Sequence, residues 1–263
     1  MRFSSNRGNN HQINDENPYW MSFSDIMAGL LVIFVLASIA LILELTQKKE
    51  EFNEAVEAVR KAEAVRKNML EEIKSELNEM NIPVTISDNH TVLRIPEDVL
   101  TFAQGRFDIP SDEISQRNTL DIGRVIYRSI RKEDRWQYLD TIFVEGHTDP
   151  VPYRSQAIKG NWGLSTFRAI SVWNYWIETM PAEERLDSLV NHVGRKLFSV
   201  SGYAETRPVP CSYGSNEIHD ETICPNGGMS AEASNSQNRR IDIRFTVRRP
   251  AIEQYEDLKQ ELQ

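Results

Sequence analysis

Asp25 opens an apolar run that continues without a charge from Ile26 to Leu43. Its 18 residues, at about 1.5 Å rise each in a helix, nearly match a hydrocarbon core of roughly 30 Å. A mean hydropathy of -0.48 for the whole chain shows that this one apolar segment sits in an otherwise soluble sequence. An ionised carboxylate at the edge of such a run is costly to leave facing lipid, and it needs a partner subunit, a water-filled cavity or a proton. Asp25 therefore reads as an ion-pathway residue. The alternative places it in the headgroup layer, where it would end the helix as part of an N-cap with Ser24.

The run does not read as a cleaved signal peptide, whose apolar region is shorter and is followed by a small-residue cleavage site. Trp20 and Asp25 precede it, and Glu44-Leu45-Thr46-Gln47-Lys48-Lys49 follows. Tyr19, Trp20 and Phe23 resemble an interfacial aromatic belt. Orientation stays open from charge alone, because Arg2 and Arg7 at one end are matched by Lys48 and Lys49 at the other. After one span, the 263 residues leave room for one domain of ordinary size. The net charge of -9 argues against a nucleic-acid-binding surface.

From Glu44 to about Met80 the chain has no Gly or Pro and is rich in Glu, Lys, Ala and Leu, which predicts one continuous helix. Leu45, Phe52, Val59, Ile73 and Met80 share a seven-residue register, with Val56, Leu70 and Leu77 also on the seam, broken at Glu63 and Arg66. Two readings follow: a parallel dimer stalk, or a connector helix whose apolar residues pack on a neighbouring domain. Pro83 ends the helix.

An α+β domain with a mixed sheet is expected next. Val84–Ile86 and Thr91–Ile95 alternate around Asp88-Asn89-His90 as a hairpin. Helices are predicted over Ile114–Ile130, over Leu164–Ile177 (opened by Ser165 near its first turn) and over Leu186–Val193. Further strands are predicted over Leu139–Glu145, Leu197–Val200 and Ile241–Val247. The segment from Cys211 to Gln237, rich in Ser, Asn, Gly and Pro, reads as an inserted loop.

Three stretches carry recognition: Glu145-Gly146-His147-Thr148-Asp149 at a strand end, Asn161-Trp162-Gly163-Leu164-Ser165-Thr166-Phe167-Arg168-Ala169 at a helix start, and Asn238-Arg239-Arg240-Ile241-Asp242-Ile243 at a strand start. This order would bring Asp149 and Arg168 to one rim of the sheet. A carboxylate beside a guanidinium can hold a zwitterion, with Arg168 clamping the carboxylate and Asp149 holding the ammonium. The plain alternative is a structural Asp–Arg pair. Enzyme chemistry is not expected: His147 lies beside Asp149, but the chain has no G-x-S-x-G and no H-E-x-x-H motif. No metal site or cofactor is expected either.

The three stretches resemble, in order, the G-H-T-D, N-x-x-L-S-x-x-R-A and N-R-R signatures of the OmpA-like peptidoglycan-binding domain, over roughly residues 83 to 248. The resemblance implies that Asp149 and Arg168 hold the diaminopimelate of a cell-wall peptide stem. Thr148, Asn161 and Leu164 would shape the pocket, and Asn238 and Arg239 would either join the contact or brace the sheet. It also implies a periplasmic domain and a cytoplasmic N-terminus in the bacterial inner membrane. Tyr19-Trp20-Met21-Ser22-Phe23-Ser24-Asp25-Ile26-Met27 is similar to the membrane segment of MotB-type stator subunits, whose aspartate carries the coupling ion.

A short N-terminal tail without a lysine-rich stretch, together with Asp25-Ile26-Met27-Ala28-Gly29-Leu30-Leu31-Val32-Ile33-Phe34-Val35-Leu36, resembles the ZorB-type subunits of Zorya anti-phage systems more than flagellar stators. The resemblance implies a proton-driven homodimer inside a ring of a MotA-like (ZorA-type) multi-span partner, although the residues alone do not choose between H⁺ and Na⁺. A flagellar stator subunit and a passive membrane-to-wall tether are the alternatives. On this reading the chain divides into a cytoplasmic tail (1–18), a transmembrane helix (19–45), a helical linker or dimer stalk (46–82), the OmpA-like domain (83–248) and a tail (249–263). The oxidising periplasm then makes a Cys211–Cys224 disulfide the expected state, with free thiols or half a metal site as alternatives.

Overall fold

The computed structural model describes residues 18–155, 159–209 and 231–249. Its first helix, α1 (Pro18–Glu79), continues without interruption for 62 residues. The chain divides into two compact units between Ala55 and Val56, within this helix.

The first unit is helical throughout its described part, and it contains a stretch long and apolar enough to cross a membrane. Its apolar side chains are exposed in the single chain; Phe34, for example, is 72% exposed. Two hydroxyls on this helix are satisfied internally: Ser38 Oγ donates to the Phe34 carbonyl and Thr46 Oγ1 to the Ile42 carbonyl, each at 2.8 Å. That back-bonding suits a helix surrounded by groups that cannot accept a hydrogen bond. Because α1 begins at Pro18, Ser24 and Asp25 lie inside the helix and do not cap it. Asp25 is exposed.

The second unit is α+β. Its five-stranded mixed sheet has the order β1-β2-β5-β3-β4, with β1 Thr85–Ser87, β2 Val92–Ile95, β3 Leu139–His147, β4 Phe198–Gly202 and β5 Arg240–Val247. Only β3 and β4 pair in parallel; every other neighbour is antiparallel. The hairpin between β1 and β2 turns through Asp88, Asn89 and His90, all with positive φ, and Asp and Asn tolerate that region better than most residues. Helix α2 (Glu113–Arg131) starts at Asp112, whose carboxylate accepts from Ser115 N at 2.8 Å. Helix α3 (Gly160–Thr179) is tied to α2 by Trp176, whose indole N–H donates to the Thr119 carbonyl at 2.7 Å.

The C-terminal half of α1 belongs to this domain. Met69, Leu70, Ile73 and Leu77 are fully buried in its core, which realises the packing reading of the heptad pattern for these residues. The flank is fixed by charge: Arg135 grips Glu72 with two guanidinium nitrogens at 2.9 Å, Lys132 adds a third contact at 2.9 Å, and Arg128 pairs with Glu76. These donors hold the Glu72 carboxyl down at about 2, with the Arg135 hydrogen bonds as the main cause. Arg66, on the same seam, is buried and donates to the His90 carbonyl at 3.0 Å, which ties α1 to the hairpin turn.

Two sequence expectations change. Leu186–Val193 does not form an α-helix: a 3-10 turn covers Leu186–Ser188, and Asn191 then folds the chain back. Its side-chain oxygen accepts from the backbone N–H groups of Val193 and Arg195 at 3.1 and 3.0 Å, closing a turn between Val190 and Lys196, which form a β-bridge. The inserted segment is not all loop, because Ala231–Asn238 forms a fourth helix, α4. Cys211 and Cys224 lie outside the described residues.

The placement of α3 depends on two paired glycines. Gly146 of β3 sits opposite Gly202 of β4. A Cβ on Gly146 would lie 1.9 Å from the Ser165 carbonyl oxygen, and one on Gly202 would lie 2.1 Å from Thr166 Oγ1. The helix backbone thus rests directly on the sheet. Gly146→Ala is expected to cost on the order of 3 kcal/mol or more, because the obstacle is backbone and cannot rotate away. Urea denaturation of the full chain in detergent, followed by tryptophan fluorescence, measures this.

Candidate functional site

The site is a cavity of about 460 Å³ between the C-terminal end of β3, the start of α3 and the loop after β2. Six of the seven residues expected to touch a ligand line it: Thr148, Asp149, Asn161, Leu164, Arg168 and Arg239. Asn238 does not. It is buried, its side-chain oxygen accepts from Val209 N at 2.8 Å, and its carbonyl accepts from Arg240 Nη1 at 3.5 Å. Asn238 therefore braces the chain beside the site.

Arg168 lies one helical turn after Leu164 and only 5% of it is exposed. Its Nε donates to the Arg106 carbonyl at 3.0 Å, Nη2 reaches the Ala103 carbonyl at 3.5 Å, and the guanidinium lies 5.0 Å from the centre of the Phe102 ring. No side-chain carboxylate bonds to it among the described residues. Burial lowers its pKa, opposed by the fields of Glu97 and Asp149. A desolvated cation held only by carbonyls is a strong receptor for a carboxylate.

Asp149 and Arg168 share the cavity but form no direct pair. Asp149 instead accepts from Arg239 Nη1 at 2.7 Å and from Val151 N at 3.1 Å. The Nε of Arg239 donates to Glu97 at 2.6 Å. Asn161 shapes the wall: its oxygen accepts from Tyr153 N at 3.0 Å, and its amide donates to the Val151 carbonyl and to Glu205 at 3.2 and 3.0 Å. Tyr153 also lines the cavity and donates its hydroxyl to the Gly105 carbonyl at 3.0 Å. The Thr148 hydroxyl oxygen is buried and has no hydrogen-bond partner among the described residues.

Sequence reasoning missed Glu97, Phe102 and Tyr153. Each sits in a loop outside the three signature stretches, and no spacing links it to them. Ser165 also has a different role from the one expected. It lies inside α3, where its Oγ accepts from Ala204 N at 3.0 Å and so fixes the segment beside Thr148.

Behind the cavity, β-strand side chains form a buried charge cluster. Asp242 receives two hydrogen bonds from Arg94, at 3.1 and 3.2 Å, and one from Arg240 at 3.0 Å. Burial alone would push the Asp242 carboxyl up, but Arg240 and Arg94 hold it below its ordinary value. His147 is buried 3.5 Å from Asp242 and stacks on Tyr203, with ring centroids 5.4 Å apart. Its pKa falls to about 3, first through burial and then through the field of Arg240. Its imidazole is therefore neutral at ordinary pH.

Residues 101–210 match the OmpA family. Zorya protein ZorB of Escherichia coli (strain ATCC 8739) is 24% identical over 202 residues, covering 74% of this chain and 80% of that protein. Motility protein B of Bacillus subtilis (strain 168) is 35% identical over 68 residues, covering 26% of this chain and 22% of that protein. The chain is similar to MotB-like proteins, and its match to the OmpA family covers residues 101–210. Among solved structures, a MotB-like protein from Desulfovibrio vulgaris aligns with a TM-score of 0.47 at 17% identity, over 72% of this chain and 99% of that one. The periplasmic domain of Helicobacter pylori MotB aligns with a TM-score of 0.42 at 18% identity, over 66% of this chain and 85% of that one.

The neutral state of His147 has a pH signature for this OmpA-family domain. Its folded pKa of about 3 lies below the ordinary value of 6.5, so the unfolded chain binds the proton first as pH falls. The contribution to stability is full above pH 6.5 and is lost on the way down toward pH 3, at a limiting slope of about 1.4 kcal/mol per pH unit. Denaturation of the full chain in detergent at steps between pH 7 and pH 4.5 should show this decline. In His147→Leu, which cannot titrate, the decline over that range should be shallower.

Proposed function

We propose that this chain is the wall-anchored subunit of an ion-driven inner-membrane complex, working with a separate MotA-like multi-span partner. The observation that carries the reading is the Arg168 guanidinium, buried in a cavity of an OmpA-family domain with no carboxylate bonded to it among the described residues. A peptide stem of peptidoglycan with a free carboxylate at its diaminopimelate residue is the ligand that this chemistry fits. Asp149 lines the same cavity and offers a carboxylate for the ammonium end.

The N-terminal helix supports the second half of the proposal. Asp25 is a carboxylate within α1 at the edge of its uncharged apolar stretch, and it is exposed in the single chain. On this reading a second copy of α1 and the partner's helices surround it and supply an ion path. Each charge that crosses is worth about 2.3 kcal/mol per 100 mV, enough to bias a step between packed helices. The domain holds the cell wall as the fixed reference while the partner moves. The N-terminus is then cytoplasmic and the domain periplasmic.

Similarity to ZorB over most of both chains favours a role in Zorya-type anti-phage defence. A plaque assay on cells carrying the complete operon tests the proposal. Asp25→Asn and Arg168→Ala are each expected to abolish protection while protein level and membrane insertion are retained. Equal protection by wild type and Asp25→Asn would leave only a passive tether. Absence of protection by the wild-type operon would contradict the defence role and favour a flagellar-type stator.

A further inference from the structure

Two carboxylates, Glu97 and Asp149, and two guanidiniums, Arg168 and Arg239, line the cavity. Glu97 and Asp149 share one guanidinium, with Arg239 Nε on Glu97 at 2.6 Å and Nη1 on Asp149 at 2.7 Å. No other cation bonds to either carboxylate among the described residues, so two negative charges meet one positive charge. On the other side stands Arg168, a buried positive charge whose hydrogen bonds go only to backbone carbonyls. Both carboxylates are largely buried, at 19% and 14% side-chain exposure, so water screens them poorly. Among the described residues, Arg168 thus has no carboxylate in hydrogen-bond contact, and the two carboxylates share one guanidinium.

We infer that Glu97 is a specificity-determining residue: with Asp149 it forms a two-carboxylate seat for a ligand ammonium, while Arg168 receives the carboxylate of the same amino-acid end. Arg239 is a positioning residue that spaces the two carboxylates. The ligand class is a peptide side chain ending in both a free ammonium and a free carboxylate. Acylation of the amine removes the charge that Glu97 and Asp149 would hold, and amidation of the acid removes the charge that Arg168 would hold. Glu97 lies outside the three signature stretches and outside the residues that match the OmpA family. The inference rests on the wall-binding reading given above and adds to it the group that selects for the amine.

Isothermal titration of the full chain in detergent tests this with two synthetic stem tripeptides ending in meso-diaminopimelate, one with the distal amine free and one with it acetylated. Wild type is expected to prefer the free amine. Glu97→Gln is expected to weaken binding of the free-amine peptide about tenfold, the size of a lost charge-assisted contact, while leaving the acetylated peptide unchanged. Equal weakening of both peptides would make Glu97 a mere brace and overturn the inference, as would no change in either. Should Glu97→Gln fail to fold, Glu97→Asp keeps the charge and is expected to keep the preference; losing it in a folded protein overturns the inference. If wild type binds neither peptide, the wall-binding reading falls as well, whereas a wild type that binds both equally removes the amine selection alone.

Discussion

The site depends on how closely α3 approaches the sheet. Gly146 and Gly202 face each other across the parallel pair β3 and β4, and the Ser165–Thr166 backbone occupies the space that two β-carbons would fill. Strand and helix backbones in direct contact leave no soft side-chain layer between them. The ends of β3 and α3 are thereby fixed, and with them Thr148 and Asp149 on one side and Asn161, Leu164 and Arg168 on the other. Ser165 completes the join through its hydrogen bond from Ala204 N, next to the backbone bond from Thr148 N to the Ala204 carbonyl at 2.9 Å. Preorganisation of this kind reduces the ordering cost of binding a small charged group.

Charge is handled differently on the two sides of the cavity floor. Beneath it, Asp242 is saturated by Arg94 and Arg240, and His147 stays neutral beside it. Breaking one partner of such a cluster leaves an uncompensated buried charge, so its members act as structure. In the cavity, by contrast, Arg168 is held by carbonyls without an anion, and Glu97 and Asp149 divide a single cation. Buried charge left partly compensated is characteristic of a binding site.

Much of this was legible from sequence for identifiable reasons. Alternation of apolar residues marked the β1–β2 hairpin and helical spacing marked α2, while β3, β5 and α3 were expected close to where they form. The order of the three signature stretches brought Asp149 and Arg168 to one rim. The sequence could not reveal that Arg239, from the start of the last strand, reaches Asp149 first, because that depends on β5 pairing beside β3. Nor could it reveal Glu97, a loop carboxylate 142 positions from its partner Arg239. The Leu186–Val193 segment had helical apolar spacing but yielded to local turn chemistry at Asn191. The heptad pattern of α1 was real, yet its burial from Met69 to Leu77 is against the chain's own sheet and α2, where Glu72 and Glu76 meet basic residues of α2 and the turn that follows it.

A continuous helix thus contributes an apolar, aspartate-bearing stretch in one unit and core side chains in the other. The central claim is that the cavity grips the cell wall through a free amino-acid end. Co-sedimentation of the detergent-solubilised full chain with purified diaminopimelate-type sacculi tests it most directly, with soluble meso-diaminopimelate as competitor. The account predicts that the protein sediments with the sacculi and is released by the competitor. Failure to sediment, or retention that excess meso-diaminopimelate does not reduce, would contradict it.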